Sequence, residues 1–192
     1  MLILVRHGQT AVNAGGRLQG RADAALTDLG RTQAESIAAA VTGAARVVTS
    51  PLRRARETAD AFGLPVTVDE RWVELDYGDL DGLPLAEVPA GVWSHWRSDV
   101  TWAPPGGESL VALGARVRAA CEELADEAGR HDVVVVSHVS PIKAAVAWAL
   151  GVGDEVSWRM FLGVASITRI ALRDRGPSLV SFNEGSHLTP SG

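Results

Sequence analysis

Four apolar residues in a row, Leu2 to Val5, stand at the start of the chain, and the run stops at Arg6, His7 and Gly8. A short continuous apolar run of this kind predicts a strand buried on both faces. Val133 to Val136 repeats the pattern and stops at Ser137 and His138, while Val47 to Thr49 stops at Ser50 and Pro51. Between these runs the apolar positions recur at three and four. Residues 27–42 predict a helix with Thr27 as N-cap and Leu29, Ile37 and Val41 near one face. Ser50 as N-cap and Pro51 in the first helical position predict a second. Residues 108–129 carry the clearest amphipathic stripe, through Leu110, Leu113, Val117, Cys121 and Leu124. Another helix is predicted to begin near Ser140 and Pro141. Residues 66–68 and 72–75 predict short extended pieces. "ASITRIALRD" and "SLVSFNEG" predict two strands joined at Gly176 and Pro177, with a frayed tail after Gly185.

Strands alternating with helices predict an α/β fold: a three-layer αβα sandwich with a mostly parallel central sheet and an antiparallel edge strand. At 192 residues, a single domain over 1–192 is the expectation. Residues 83–107 interrupt the regular pattern with Trp93, Trp96, Trp102 and four prolines. They predict a lid-like excursion over the top of the sheet. Two readings of it stay open: an aromatic lid for a ring-bearing substrate, or tryptophans that pin an irregular segment to the domain. Trp148 falls inside a helical pattern and reads as core, whereas Trp72 and Trp158 fit either role.

Composition narrows the function. A net charge of −5 argues against general nucleic-acid binding, which presents a basic face. The single cysteine, Cys121, excludes an internal disulfide framework and sits on the apolar helix stripe. No apolar stretch is long enough to cross a membrane, and no cationic leader precedes the first strand. A soluble, cytoplasmic protein is expected.

Three strand ends therefore carry a cation or a histidine: Arg6 and His7, Arg53 and Arg54 just past the second strand, and His138. In an open parallel sheet, ligands bind beyond the carboxyl ends of the strands, so these groups are expected on one edge. Arginine forks match phosphate oxygens, and a helix N-terminus adds N–H donors. The pattern points to a pocket for a tetrahedral anion.

"RHGQT" (6–10) with Asn13, "ALTDLGRTQA" (25–34), "SPLRRARETA" (50–59), "ELDYGDLDG" (74–82), "GGES" (106–109) and "VVSHVSPIK" (135–143) occur in that order. Together they resemble the histidine phosphatase superfamily, also called the phosphoglycerate mutase-like family. The resemblance implies that His7 is a nucleophile that becomes a phosphohistidine. It implies a phosphate clamp of Arg6, Arg54 and His138, with Asn13 as a further phosphate ligand. Arg54 matches the family's Ser-x-Leu-x-Arg-Ala pattern, which leaves Arg53 at the surface. Glu74 takes the place of the general acid that protonates the leaving group, and the scheme needs no metal or cofactor.

Two departures bear on substrate rather than chemistry: Val139 and Ser140 follow His138 where many relatives have small residues, and Ala11 and Val12 replace a more polar or aromatic pair. The family includes mutases, phosphatases and non-catalytic members. Only Arg97 and His95 are basic in the Trp-rich excursion, where mutases carry extra basic segments, so a phosphatase acting on a small phosphorylated metabolite is expected. Mutase-type phosphoryl transfer and a non-catalytic phospholigand-binding module are the alternatives.

Overall fold

The apolar runs become strands of one six-stranded sheet in the computed structural model, which describes residues 1–188. The strands are β1 (Leu2–Arg6), β2 (Ala44–Thr49), β3 (Val66–Val68), β4 (Asp132–Ser137), β5 (Ile167–Arg173) and β6 (Gly176–Glu184). The helices are α1 (Ala11–Ala14), α2 (Asp28–Ala40), α3 (Arg53–Asp60), α4 (Ala90–Ser98), α5 (Leu110–Arg130) and α6 (Val139–Leu150). Strand order is β3-β2-β4-β1-β5-β6. The first four are mutually parallel, whereas β5 runs antiparallel to β1 and β6 antiparallel to β5. The antiparallel edge is the β5–β6 hairpin, built from the two strands expected at the end of the chain.

The two-residue period of a strand explains why these runs are apolar throughout. Leu2, Leu4, Val133 and Val135 pack in one layer with Leu113, Val117 and Cys121 of α5 and Ile142 of α6. Ile3, Val5, Val134 and Val136 pack in the other with Ile37 of α2 and Ala55 and Ala59 of α3. Both faces are covered, as the three-layer expectation required.

Several local expectations change. Leu29 is 43% exposed, and α2 docks instead through Gly30, Ala34 and Ile37. Gly30 lies so close to the loop after β1 that a Cβ there would come within 2.1 Å of the Gln9 carbonyl oxygen. The helix therefore approaches through its smallest residue and rolls Leu29 outward. Ser50 does not cap α3, which starts at Arg53 with Leu52 in the cap position; its hydroxyl is engaged at the site below. Residues 72–75 form no strand, because Glu70–Trp72 is a 3-10 turn and the chain then crosses the strand ends. The final hairpin turns at Asp174 and Arg175, with Gly176 and Pro177 already paired to Arg173 and Leu172. Past Gly185 the chain stays attached: His187 Nε2 donates to the Ala165 carbonyl at 2.9 Å, and the Leu188 amide donates to Gly185 at 3.0 Å. The rest of the expected frayed tail, 189–192, lies outside the described residues. Among those described, no helix is long and apolar enough to cross a membrane.

Candidate active site

Strand register assembles the site. Parallel pairing of β1 and β4 sets Arg6 opposite Ser137, so the next residues, His7 and His138, emerge side by side. Their ring centroids are 5.1 Å apart. Pairing of β2 with β4 sets Thr49 opposite Val136, which brings Ser50 to the same level. Ser50 Oγ lies 2.7 Å from His138 Nε2 and accepts the Leu52 amide at 3.3 Å. With the Ser50 hydroxyl donating to Nε2, His138 carries its ring hydrogen on Nδ1, which has no partner among the described residues.

The residue after His7 settles the other tautomer. His7 Nδ1 donates to the Gly8 carbonyl at 2.7 Å, so Nε2 keeps its lone pair. Gly8 has to be glycine here, since a Cβ would sit 2.3 Å from the Gly30 carbonyl oxygen. Burial first, then the nearby Arg54 cation, pushes both His7 and His138 well below the ordinary imidazole range. Both imidazoles are neutral at neutral pH.

Arg54 enters from the first turn of α3, fully buried. Its Nε donates to His7 Nε2 at 3.3 Å, while Nη1 and Nη2 donate to the carbonyls of Ala22 and Gly20 at 2.8 and 2.6 Å. The same short loop is gripped from its other side by Asp81. That carboxylate accepts the amides of Gly20, Arg21 and Ala22 at 2.7, 3.1 and 3.1 Å. Arg53 points away and pairs with Glu57 at 2.6 Å.

Two amide side chains are held by their oxygens and keep their nitrogens free. Asn13 Oδ1 accepts the Thr10 amide at 3.1 Å in the cap of α1, and Gln19 Oε1 accepts the Thr10 hydroxyl at 2.7 Å. Asn13 Nδ2, Gln19 Nε2 and Arg6 Nε are buried without an acceptor among the described residues. Arg6 is otherwise anchored by Nη1 on the Leu162 carbonyl at 2.7 Å. Buried donors left unpaired are costly, and several in one place define a site for an oxygen-rich anion.

Glu74 sits on the N-terminus of α6. Its Oε1 accepts the amides of Leu75 and Ser140 at 2.7 and 3.1 Å, and Oε2 accepts that of Val139 at 3.0 Å. Oε2 therefore keeps a lone pair on which a proton can sit. Behind it, Arg116 donates to the Glu74 and Arg71 carbonyls and pairs with Glu108, which fixes the segment.

A cavity of about 320 Å³ opens over these groups, with Arg6, His7, Asn13 and Glu74 on its polar side. Arg54 and His138, both predicted phosphate ligands, lie behind His7 rather than on the cavity wall. Opposite stand Leu18, Leu85, Leu110, Trp93, Trp96 and Trp158. The tryptophans of the excursion divide between core and cavity wall. Trp96 is core, with rings at 5.8, 5.7 and 5.8 Å from those of Trp93, Trp102 and Trp158, while Trp93 also forms the cavity wall. Trp72 is wholly buried, Trp148 packs against the core, and Trp158 lines the cavity. Sequence reasoning missed Gln19 and the loop carbonyls of Gly20 and Ala22. "GRLQGRADA" carries no periodicity or motif that singles them out.

Residues 2–185 match the family described as the histidine phosphatase superfamily, branch 1. A glucosyl-3-phosphoglycerate phosphatase of Mycobacterium tuberculosis is 41% identical over 191 residues, which cover 84% of this chain and 85% of that protein. Among solved structures, a phosphoserine phosphatase mutant from Entamoeba histolytica in complex with phosphoserine superposes with a TM-score of 0.90. It is 28% identical and the match covers 98% of each chain. A mycobacterial glucosyl-3-phosphoglycerate phosphatase in complex with VO3 gives a TM-score of 0.86 at 36% identity, over 96% of this chain and 98% of that one. The chain belongs to the histidine phosphatase superfamily.

Proposed function

We propose that the protein is a phosphomonoesterase acting on a small phosphorylated metabolite through a phosphohistidine at His7. The observation that carries this is the tautomer of His7: Nδ1 is committed to the Gly8 carbonyl, so the nucleophilic lone pair is on Nε2, beside Arg54. In the first step a P–N bond forms to Nε2 and the ester P–O bond breaks. The leaving oxygen takes the proton held on Glu74 Oε2. Water then attacks phosphorus, Glu74 recovers a proton from it, the P–N bond breaks and inorganic phosphate leaves. Arg6, Arg54, His138 and Asn13 are assigned to the oxygens of the transferring group, where fixed donors stabilise charge as it develops. Residues 83–107, within a single domain, roof the leaving group.

The relatives named above support net hydrolysis over phosphoryl return. The test is turnover of nitrophenyl phosphate with a chelator present, for wild type and His7→Ala. Loss of at least about 10³-fold in His7→Ala, with an acid-labile phosphoenzyme trapped only in wild type, is the expected result. Full activity in His7→Ala refutes the nucleophile, and no turnover of any phosphomonoester favours a binding module. Rapid isomerisation of 3-phosphoglycerate with a bisphosphoglycerate primer and no phosphate release refutes hydrolysis.

A further inference from the structure

We propose that the leaving alcohol of the substrate carries a carboxylate and that Lys143 binds it. The inference rests on the phosphomonoesterase reading of the site and narrows its substrate. Lys143 is the only lysine of the chain. It is half-buried on α6, lines the cavity, and makes no hydrogen bond or ion pair with any described residue.

Its place on α6 sets which part of a substrate it meets. Val139 and Ser140, whose amides hold Glu74, lie one helical turn earlier, so Lys143 stands on the side of the site where Glu74 meets the leaving oxygen. The charged groups it feels are Glu74 and Arg6. Glu74 does not consume the positive charge. Arg6, Arg17 and Lys143 line the cavity against one carboxylate, Glu74, while Arg54, behind His7, also faces Asp81 and Asp23. With the general acid's proton on Glu74, the three cavity cations exceed a phosphomonoester dianion by one charge. Arg17 is partly committed, donating to the Gly82 carbonyl at 2.9 Å. Of these three cations, Lys143 alone has no hydrogen-bond partner among the described residues. The cavity volume of about 320 Å³ also sits at the small end of metabolite pockets, which run from roughly 300 to 1,000 Å³. A short phosphorylated hydroxy acid or amino acid meets these conditions, with any further substituent lying against Trp93 and Trp158.

The test compares kcat/KM within pairs of esters that differ at the carboxylate: phosphoserine against phosphoethanolamine, and 3-phosphoglycerate against glycerol 3-phosphate. Wild type is expected to prefer the carboxylated member by about tenfold to a hundredfold, the range of one charge-assisted hydrogen bond. Lys143→Met is expected to lower that ratio at least about tenfold, chiefly through KM, and Lys143→Arg to restore most of it. Equal kcat/KM within both pairs in wild type overturns the proposal without needing a variant, and leaves the phosphatase reading standing if the esters are hydrolysed. Equal losses on both members in Lys143→Met also overturn it, since a mere counter-ion to Glu74 produces that result. Failure to hydrolyse any of the four esters or nitrophenyl phosphate overturns both readings.

Discussion

Asp81 touches neither histidine, yet its removal is expected to cost activity through Arg54. In Asp81→Ala the amides of Gly20, Arg21 and Ala22 lose their common acceptor. Hydrogen bonds to a charged group contribute about 1.5–3 kcal/mol each, but the exposed amides of Arg21 and Ala22 regain water. Only the buried Gly20 amide bears the full penalty, so the net loss is about 2–3 kcal/mol, or roughly 4–12 °C in Tm for a chain of this size. The functional effect is separate. The Gly20 and Ala22 carbonyls that aim Arg54 at His7 are released, and a misplacement of about 1 Å costs about 10²-fold in rate. Thermal melts and kcat/KM on nitrophenyl phosphate measure the two effects. A double-mutant cycle distinguishes positioning from general weakening. If Asp81 acts through Arg54, Asp81→Ala changes kcat/KM by less than about twofold in an Arg54→Ala background. Losses that multiply in the double variant, or a lowered Tm with undiminished activity in Asp81→Ala, refute the reasoning.

Four further outcomes follow from the geometry. His7 and His138 are held neutral in the folded protein with pKa values well below the ordinary one, so the unfolded chain binds more protons than the folded one once pH drops below about 6.5. Stability is therefore level above that pH and falls beneath it, with a slope approaching about 2.7 kcal/mol per pH unit for two protons. Urea unfolding at pH 7.5 and 5.5 measures it, and an unchanged free energy between them contradicts the neutral assignment. Glu74→Gln is expected to slow alkyl phosphates by about 10²–10⁴-fold and nitrophenyl phosphate far less, because only a poor leaving group needs the proton; equal losses count against a general acid. Gly8→Ala drives a Cβ into the Gly30 carbonyl and is expected to cost at least about 2 kcal/mol by denaturant melt. Gly91→Ala, whose Cβ meets nothing within 4 Å at the start of α4, is expected to be neutral or slightly stabilising.

Much of the sheet and of the site is legible in the order of residues alone. The runs LILV and VVVV are apolar at every position because helices cover both faces of their strands, and that pattern alone announces buried parallel strands. The abrupt polar residues after each run mark strand ends, and strand ends are where such folds bind ligands. His7, Arg6, Arg54 and His138 stand at or just past those ends, and Glu74 is named by its motif. Where two local signals compete, the pattern misleads. Ser50 and Pro51 have good N-terminal helix chemistry, but the Ser50 hydroxyl is engaged with His138, and α3 starts later. Leu29 fits a helical stripe, but backbone contact at Gly30 turns it outward.

The order of residues sets the chemistry on offer: two imidazoles, cations and a carboxyl group placed just past buried strands, because side-chain type and local period are properties of neighbouring residues. Tertiary structure alone decided how those groups meet. The β1–β4 and β2–β4 registers put His7, His138 and Ser50 at one level. Asp81 braces the loop carbonyls that hold Arg54 from a separate segment, and α6 sets Lys143 on the cavity wall. Each is a contact between residues far apart in the chain, and no local pattern encodes a distance across the fold.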